Sequence, residues 1–113
     1  MHGHGKAVMA SGSVYEGQWK EGEKHGKGRY AFADGGIYEG EWEADLRHGK
    51  GKFTWASGEV EIGCYEAGAD VGQGVKWSAD RAQAWEVQDG KPGRSISQEE
   101  AAQIAARIGL PVP

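Results

Sequence analysis

The sequence predicts a mostly β chain: successive antiparallel hairpins followed by a short C-terminal α-helix. Three observations predict it. Sequence elements recur every 23 residues, apolar and polar residues alternate within each copy, and the composition changes after residue 90. The recurrence is plainest in YEGQW at Tyr15 and YEGEW at Tyr38, and in HGKG at His25 and His48. Trp19, Trp42 and Tyr65 keep the same register, as do Gly17, Gly40 and Gly63. Gly26 and Gly28 match Gly49 and Gly51, then Gly72 and Gly74; Gly3 and Gly5 precede them by one period. Such self-similarity marks a repeat architecture, in which each unit packs mainly on its neighbours.

Inside a unit the period is two, as in a strand. Tyr38, Gly40 and Trp42 share one face, with Glu39, Glu41 and Glu43 on the other; Gly49, Gly51, Phe53 and Trp55 oppose Lys50, Lys52 and Thr54. The second unit therefore reads as strands 38–43 and 49–55, and the first as 15–20 and 26–32, with Ala56-Ser57-Gly58-Glu59 as a connecting turn. The buried set expected from this alternation is Tyr15, Gly17, Trp19, Gly26, Gly28, Tyr30, Phe32, Tyr38, Gly40, Trp42, Gly49, Gly51, Phe53, Trp55 and Tyr65. Glycines between rings leave room for a ring from the neighbouring strand and supply the positive φ of tight turns. One hairpin is marginal in water, so stability must come from stacking neighbours.

Y-x-G-x-W, followed seven residues after the Trp by G-x-G at a 23-residue period, resembles the MORN (membrane occupation and recognition nexus) repeat. The resemblance covers roughly residues 3–80 and implies an elongated, twisted antiparallel sheet. It divides residues 1–90 into a partial unit at 3–14, full units at 15–37 and 38–60, and a degenerate unit at 61–83. In that last unit Glu61 stands where Tyr belongs, Tyr65 replaces Trp and Val71 replaces His. Lys76 and Ser78 take the inward positions, so Val75 and Trp77 are expected inside through a bulge or a flipped face. Ala84-Trp85-Glu86-Val87 adds a last strand, and Asp89-Gly90 is expected to turn the chain away.

Residues 91–113 read as a linker, broken at Pro92-Gly93, and a helix. Ser97 and Glu100 form an S-x-x-E capping box, Glu99 and Glu100 lie in the first turn, Arg107 in the last, Gly109 follows as the C′ residue, and Pro111 forbids continuation. Ala101, Ile104, Ala105 and Ile108 make one apolar stripe, which either caps the end of the sheet or docks on another protein.

Composition excludes several classes. Leu, Ile, Val and Phe make up 16 of 113 residues. That is about 14%, too few for a deep aliphatic core, but five Trp and four Tyr favour a thin, ring-packed fold. A net charge of −4 argues against nucleic acid as partner. One cysteine, Cys64, permits no internal disulfide, and no apolar run approaches the ~18 residues of a membrane span. Nor does MHGHGKAVMASG contain a signal-peptide core, so a soluble intracellular chain is expected, with any membrane or cytoskeletal contact peripheral.

Catalytic and metal chemistry find no footing. His25 and His48 occupy the same turn of successive repeats, and His2 and His4 lie near the start, without carboxylates or Cys at ligand spacing. HGKGR and HGKGK lack the strand–helix context of a phosphate loop. Cys64 aligns with Gln18 and Glu41 on the outward face, and the paired Glu39 and Glu41 are expected to solubilise it. No enzyme and no cofactor is expected. The resemblance implies a protein-binding scaffold, an accessory subunit of cytoskeletal, ciliary or membrane-associated assemblies. The alternative is binding to acidic phospholipid head groups through Lys24, Lys27, Arg29, Arg47, Lys50 and Lys52. Against it, residues 15–66 hold seven basic and eleven acidic residues, and each basic residue gains only about 1 kcal/mol at an anionic surface. The edge at Gly3–Ala10 is a further expected docking place for a partner strand.

Overall fold

Nine strands and one helix follow one another along residues 3–113, which are described by a computed structural model. The strands are β1 (Gly3–Val8), β2 (Val14–Lys20), β3 (Glu23–Ala31), β4 (Ile37–Glu43), β5 (Leu46–Thr54), β6 (Val60–Glu66), β7 (Ala69–Trp77), β8 (Ala84–Gln88) and β9 (Lys91–Ile96), and the helix is α1 (Gln98–Ile108). They form one antiparallel sheet in sequence order, with overall extents of 43 × 25 × 20 Å. No strand crosses over another, so contacts stay local along the chain.

Two kinds of turn alternate. Within a unit the loop has two residues, Glu21-Gly22, Ala44-Asp45 or Ala67-Gly68, all at positive φ. This is the type I′ geometry that matches the twist of a hairpin. The second strands therefore start at Glu23 and Leu46, three residues earlier than the sequence suggests. Gly26 and Gly49 do not form the turn but lie inside β3 and β5 at φ +64° and +72°, opposite register shifts at Gly17/Trp19 and Gly40/Trp42. Each is a β-bulge. Between units, the Phe32 and Trp55 N–H groups donate to the Gly36 and Glu59 carbonyls, closing Ala-Asp-Gly and Ala-Ser-Gly turns. In the next such turn, where the Ser78 N–H donates to the Gln83 carbonyl, Arg81 replaces glycine at φ +65°, and its Nη1 donates to the Gly58 carbonyl at 2.9 Å. Ala44, at φ +49°, has no such compensation on its methyl side chain. Ala44→Asn is expected to raise stability by about 0.5–1 kcal/mol, measured by thermal unfolding, because Asn tolerates the left-handed region better.

The core changes faces along the sheet. Over β2–β6 the buried residues Tyr15, Tyr38, Trp42 and Tyr65 lie on one face. From β6 onward Val60, Ile62, Val75, Trp77, Ala84 and Ile96 are buried on the opposite face, beneath Ala101, Ile104 and Ala105 of the helix. This corrects the expectation of a flipped face in the third unit. Lys76 still pairs with Glu61 as Phe53 pairs with Tyr38, so the register of the faces is unchanged. Val75 and Trp77 are buried because the helix covers their side.

The chain does not turn away at Asp89-Gly90, nor is 91–96 a linker. Asp89 and Gly90 are both at positive φ, and they lead into β9, which pairs with β8. Pro92 is accommodated because β9 ends the sheet, where a missing N–H removes no ladder bond. The helix is capped by Ser97, whose hydroxyl accepts the Glu100 N–H at 3.0 Å, and ends at Gly109 in the left-handed region. The reciprocal half of the capping box is not made. Glu100 instead accepts from Arg94 at 2.6 Å, fastening the helix start to β9. The Ala101, Ile104 and Ala105 stripe, with Ile108 beside it, is covered by the chain's own sheet. It lies over a face of the last strands.

Candidate functional site

The aromatic face is built as two rows of rings. In the inner row, centroids run Trp19–Tyr15 at 5.0 Å, Tyr15–Trp42 at 5.6 Å, Trp42–Tyr38 at 5.2 Å and Tyr38–Tyr65 at 5.4 Å, all edge-to-face. Such pairs contribute about 0.5–1.5 kcal/mol each beyond area burial. The glycine pairs are the floor. Gly17 faces Gly28 and Gly40 faces Gly51, and a Cβ at Gly51 would come within 2.5 Å of Tyr38 ring carbons. Each ring then reaches along its strand, so that the Tyr15 and Tyr38 hydroxyls donate to the Gln18 and Glu41 carbonyls at 2.9 and 3.2 Å. Each Trp links units: Trp19 Nε1 donates to the Gly5 carbonyl, and Trp42 Nε1 to the Gly28 carbonyl. Burial holds the Tyr15, Tyr38 and Tyr65 hydroxyls above the usual phenol range.

The outer row is only half-buried. It runs Tyr30–Phe32 at 4.6 Å, Phe32–Phe53 at 5.6 Å and Phe53–Trp55 at 4.8 Å. Two hollows open beside it, of about 350 and about 250 Å³, and they share Arg47 and Gly68. The first also presents Lys24, Asp45 and the exposed Leu46. Cations sit on the rings: Lys24 Nζ lies 5.4 Å from the Trp42 centroid, Arg47 5.0 Å from Tyr65 and Lys76 4.7 Å from Trp55. Lys24 is held by Asp45 at 3.3 Å. The result is an open, ring-walled groove with a charged rim.

The second hollow exists because the third unit lacks its tyrosine. Glu61 occupies that place, is buried, and has the Asp70 carboxyl beside it. No ring covers the glycine there. The atom nearest to a Cβ built on Gly63 is an Asp70 oxygen at 3.4 Å. Desolvation, and then the Asp70 carboxyl beside it, push Glu61 up to about 8. The sequence identifies Glu61 as a departure, but the contact with Asp70 is invisible to it because the two are joined only by the β6–β7 pairing.

The opposite face is charged and has its own cleft of about 640 Å³, lined by Glu16, Lys27, Arg29, Glu39, Glu41 and Lys50 and ended by Gly109–Leu110. Glu16 pairs with Arg29, Arg29 with Glu39, and Glu39 with Lys52, so the signs alternate from strand to strand. Gln18 and Glu41 do more than solubilise it. Gln18 Oε1 accepts the Lys27 N–H at 2.7 Å and Glu41 Oε1 the Lys50 N–H at 3.0 Å, satisfying the bulges. The equivalence of positions 18 and 41 was the available signal for this role. The basic residues expected to form one stripe are divided: Lys24 and Arg47 sit on the aromatic rings, while Lys27, Arg29, Lys50 and Lys52 interleave with acids on the other side.

Other candidates stay apart. His48 meets Glu43 at 3.3 Å on the surface, and His4 lies on β1; His2 falls outside the described residues. Among the described residues no three His, Cys, Asp or Glu side chains converge on one point for a metal. The Gly-Lys-Gly segments lie within β3 and β5. Cys64 is half-buried between Lys50 and Val71. Among the described residues no helix is long and apolar enough to cross a membrane.

Among known proteins, no curated sequence matches the chain. A family model described as MORN repeat matches three times, at residues 1–14, 15–37 and 38–60. With that match over more than half its length, and hairpins stacked in one open sheet, the chain belongs to the MORN-repeat family.

Proposed function

We propose that this chain is a non-enzymatic scaffold or adaptor that seats another protein on its aromatic face, as an accessory subunit of a larger assembly. The observation that carries this reading is the outer ring row. Tyr30, Phe32, Phe53 and Trp55 are packed enough to be rigid yet remain half-exposed, and the adjoining hollows offer depth. Rigid aromatic rings with a charged rim are typical anchors of protein interfaces. Over β2–β5 the opposite face carries no aromatic ring, only the half-buried Val14, Ala31 and Ile37 at one end and charged residues beyond them, and over β6–β8 the helix already covers it.

The test compares affinity capture by the chain and by a Phe53→Ser/Trp55→Ser variant, with a charged-face variant, Arg29→Ser/Lys52→Ser, as control. Proteins retained by the parent and control but lost from the ring variant support the proposal. Identical capture by all three contradicts it. Acidic lipid binding is the less favoured reading, because the basic residues are split between two faces and alternate with acids. Vesicles with and without acidic lipid are expected to show no salt-sensitive difference in flotation with the chain. A clear difference would reverse the preference.

A further inference from the structure

The outer edge of β1 is shaped for a strand that the described residues do not supply. On its paired side β1 repeats the interior arrangement. Gly3, Gly5 and Ala7 face Trp19, Gly17 and Tyr15, as Gly26, Gly28 and Tyr30 face Trp42, Gly40 and Tyr38. Trp19 Nε1 donates to the Gly5 carbonyl at 3.1 Å, as Trp42 Nε1 does to Gly28 at 3.3 Å. Gly3 also carries the bulge conformation: its φ of +77° matches +64°, +72° and +71° at Gly26, Gly49 and Gly72.

In the interior, that conformation serves the strand on the other side. It turns the next N–H, of Lys27 or Lys50, toward the Gln18 or Glu41 side chain of the preceding strand. A Cβ on Gly49 would come within 2.8 Å of Glu41, whereas around Gly3 nothing lies within 4 Å. Among the described residues β1 thus keeps the shape of a paired second strand with no strand on its outer side.

We propose that the outer edge of β1 accepts an antiparallel strand of the type Tyr-x-Gly-(Gln/Glu)-Trp, contributed by a MORN array whose own sheet ends in such a strand, paired on one side only. The ladder supplies affinity, as in other strand additions. Specificity comes from three contacts: the incoming carboxamide or carboxylate takes the His4 N–H, its tyrosine ring covers Gly5, and its glycine permits the close approach to Gly5. A second folded copy of this chain is a poor donor. Its β2 and β4, which bear this motif, are already paired on both sides, and its end strands β1 and β9 lack both rings. This edge is separate from the aromatic groove, so the two readings stand or fall independently.

The probe is the nonapeptide Gly-Ile-Tyr-Glu-Gly-Glu-Trp-Glu-Ala, the sequence of residues 36–44, titrated into the isotopically labelled chain and followed by amide shifts. Saturable shifts confined to residues 3–8 and their β2 partners are expected. Replacing the central peptide Gly by Val, or its second Glu (the one that follows that Gly) by Ala, is expected to weaken binding about tenfold or more. In the protein, His4→Pro removes the outward N–H, and Gly5→Val fills the ring position while keeping the donor. Both are expected to abolish the shifts with the spectrum of residues 21–113 retained. Absence of shifts, shifts confined to the ring groove or charged face, or unchanged binding by either protein variant would overturn the proposal.

Discussion

Gly51→Ala is expected to destabilise the chain by about 3 kcal/mol or more, while Gly63→Ala costs less than about 1 kcal/mol. Both are glycines of the buried face, on the adjacent strands β5 and β6, and directly paired. They differ in what lies above them. At Gly51 the three atoms nearest an added Cβ all belong to the Tyr38 side chain, which is fully buried and held edge-on by Trp42 and Tyr65. The ring has nowhere to retreat, and closely packed interiors relax poorly. At Gly63 the nearest atom is at ordinary contact distance, 3.4 Å, because the third unit has no ring there. Neither position has a positive φ, so backbone conformation does not explain the difference. Urea unfolding of both variants measures it. Equal costs would show that glycine matters here for chain entropy or strand geometry and not as the floor of a ring.

Glu61→Tyr is expected to stabilise the chain, and more so at high pH. The new ring would lie over Gly63 and Gly74 as Tyr38 lies over Gly40 and Gly51, with its hydroxyl in reach of the Cys64 carbonyl by analogy with Tyr15 and Tyr38. Burying such a ring contributes about 1.5–3 kcal/mol. The pH dependence follows from the buried carboxyl. Glu61 is pushed from 4.5 in the unfolded chain up to about 8 when folded, by desolvation first and then by Asp70. Below pH 4.5 both states hold the proton, and the group imposes no penalty. Between pH 4.5 and about 8 the unfolded chain releases it while the folded chain retains it, so stability falls as pH rises. The loss is on the order of 2–4 kcal/mol. Unfolding at pH 5, 7 and 9 should show this decline in the parent and a flatter curve in Glu61→Tyr. A parent whose stability is level across that range would refute the buried carboxyl pair.

The repeats made most of the sheet legible. Tyr15, Gly17, Trp19 and their copies sit at fixed spacing, so the strand faces follow from alternation alone. The helix was legible from its ends, Ser97 and Gly109. What escaped involves contacts that local pattern does not encode. The two-residue turns hid because Ala44 and Ala67 are poor left-handed residues, and Gly26 and Gly49 look like better turn formers. β9 hid because Pro92-Gly93 signals a break, a reading that holds for a central strand and fails at an edge. The change of core from one face to the other depends on where the helix folds back, and Val60, Ile62, Val75 and Trp77 carry no mark of which element will cover them. Of the candidate site, the rings were identified together, but their division into a buried inner row and a half-exposed outer row needed the sheet's twist and its neighbours.

The central claim is that tyrosine rings seated on paired glycines, locked edge-on by tryptophans, join one hairpin to the next. Proton–proton Overhauser contacts from the aromatic rings in solution test it most directly. The Tyr38 ring should show cross-peaks to the Gly51 α protons and to the Trp42 and Tyr65 rings, and the Tyr15 ring to Gly28 and Trp42. Tyr15 and Tyr38 rings with only intraresidue and sequential cross-peaks would contradict it.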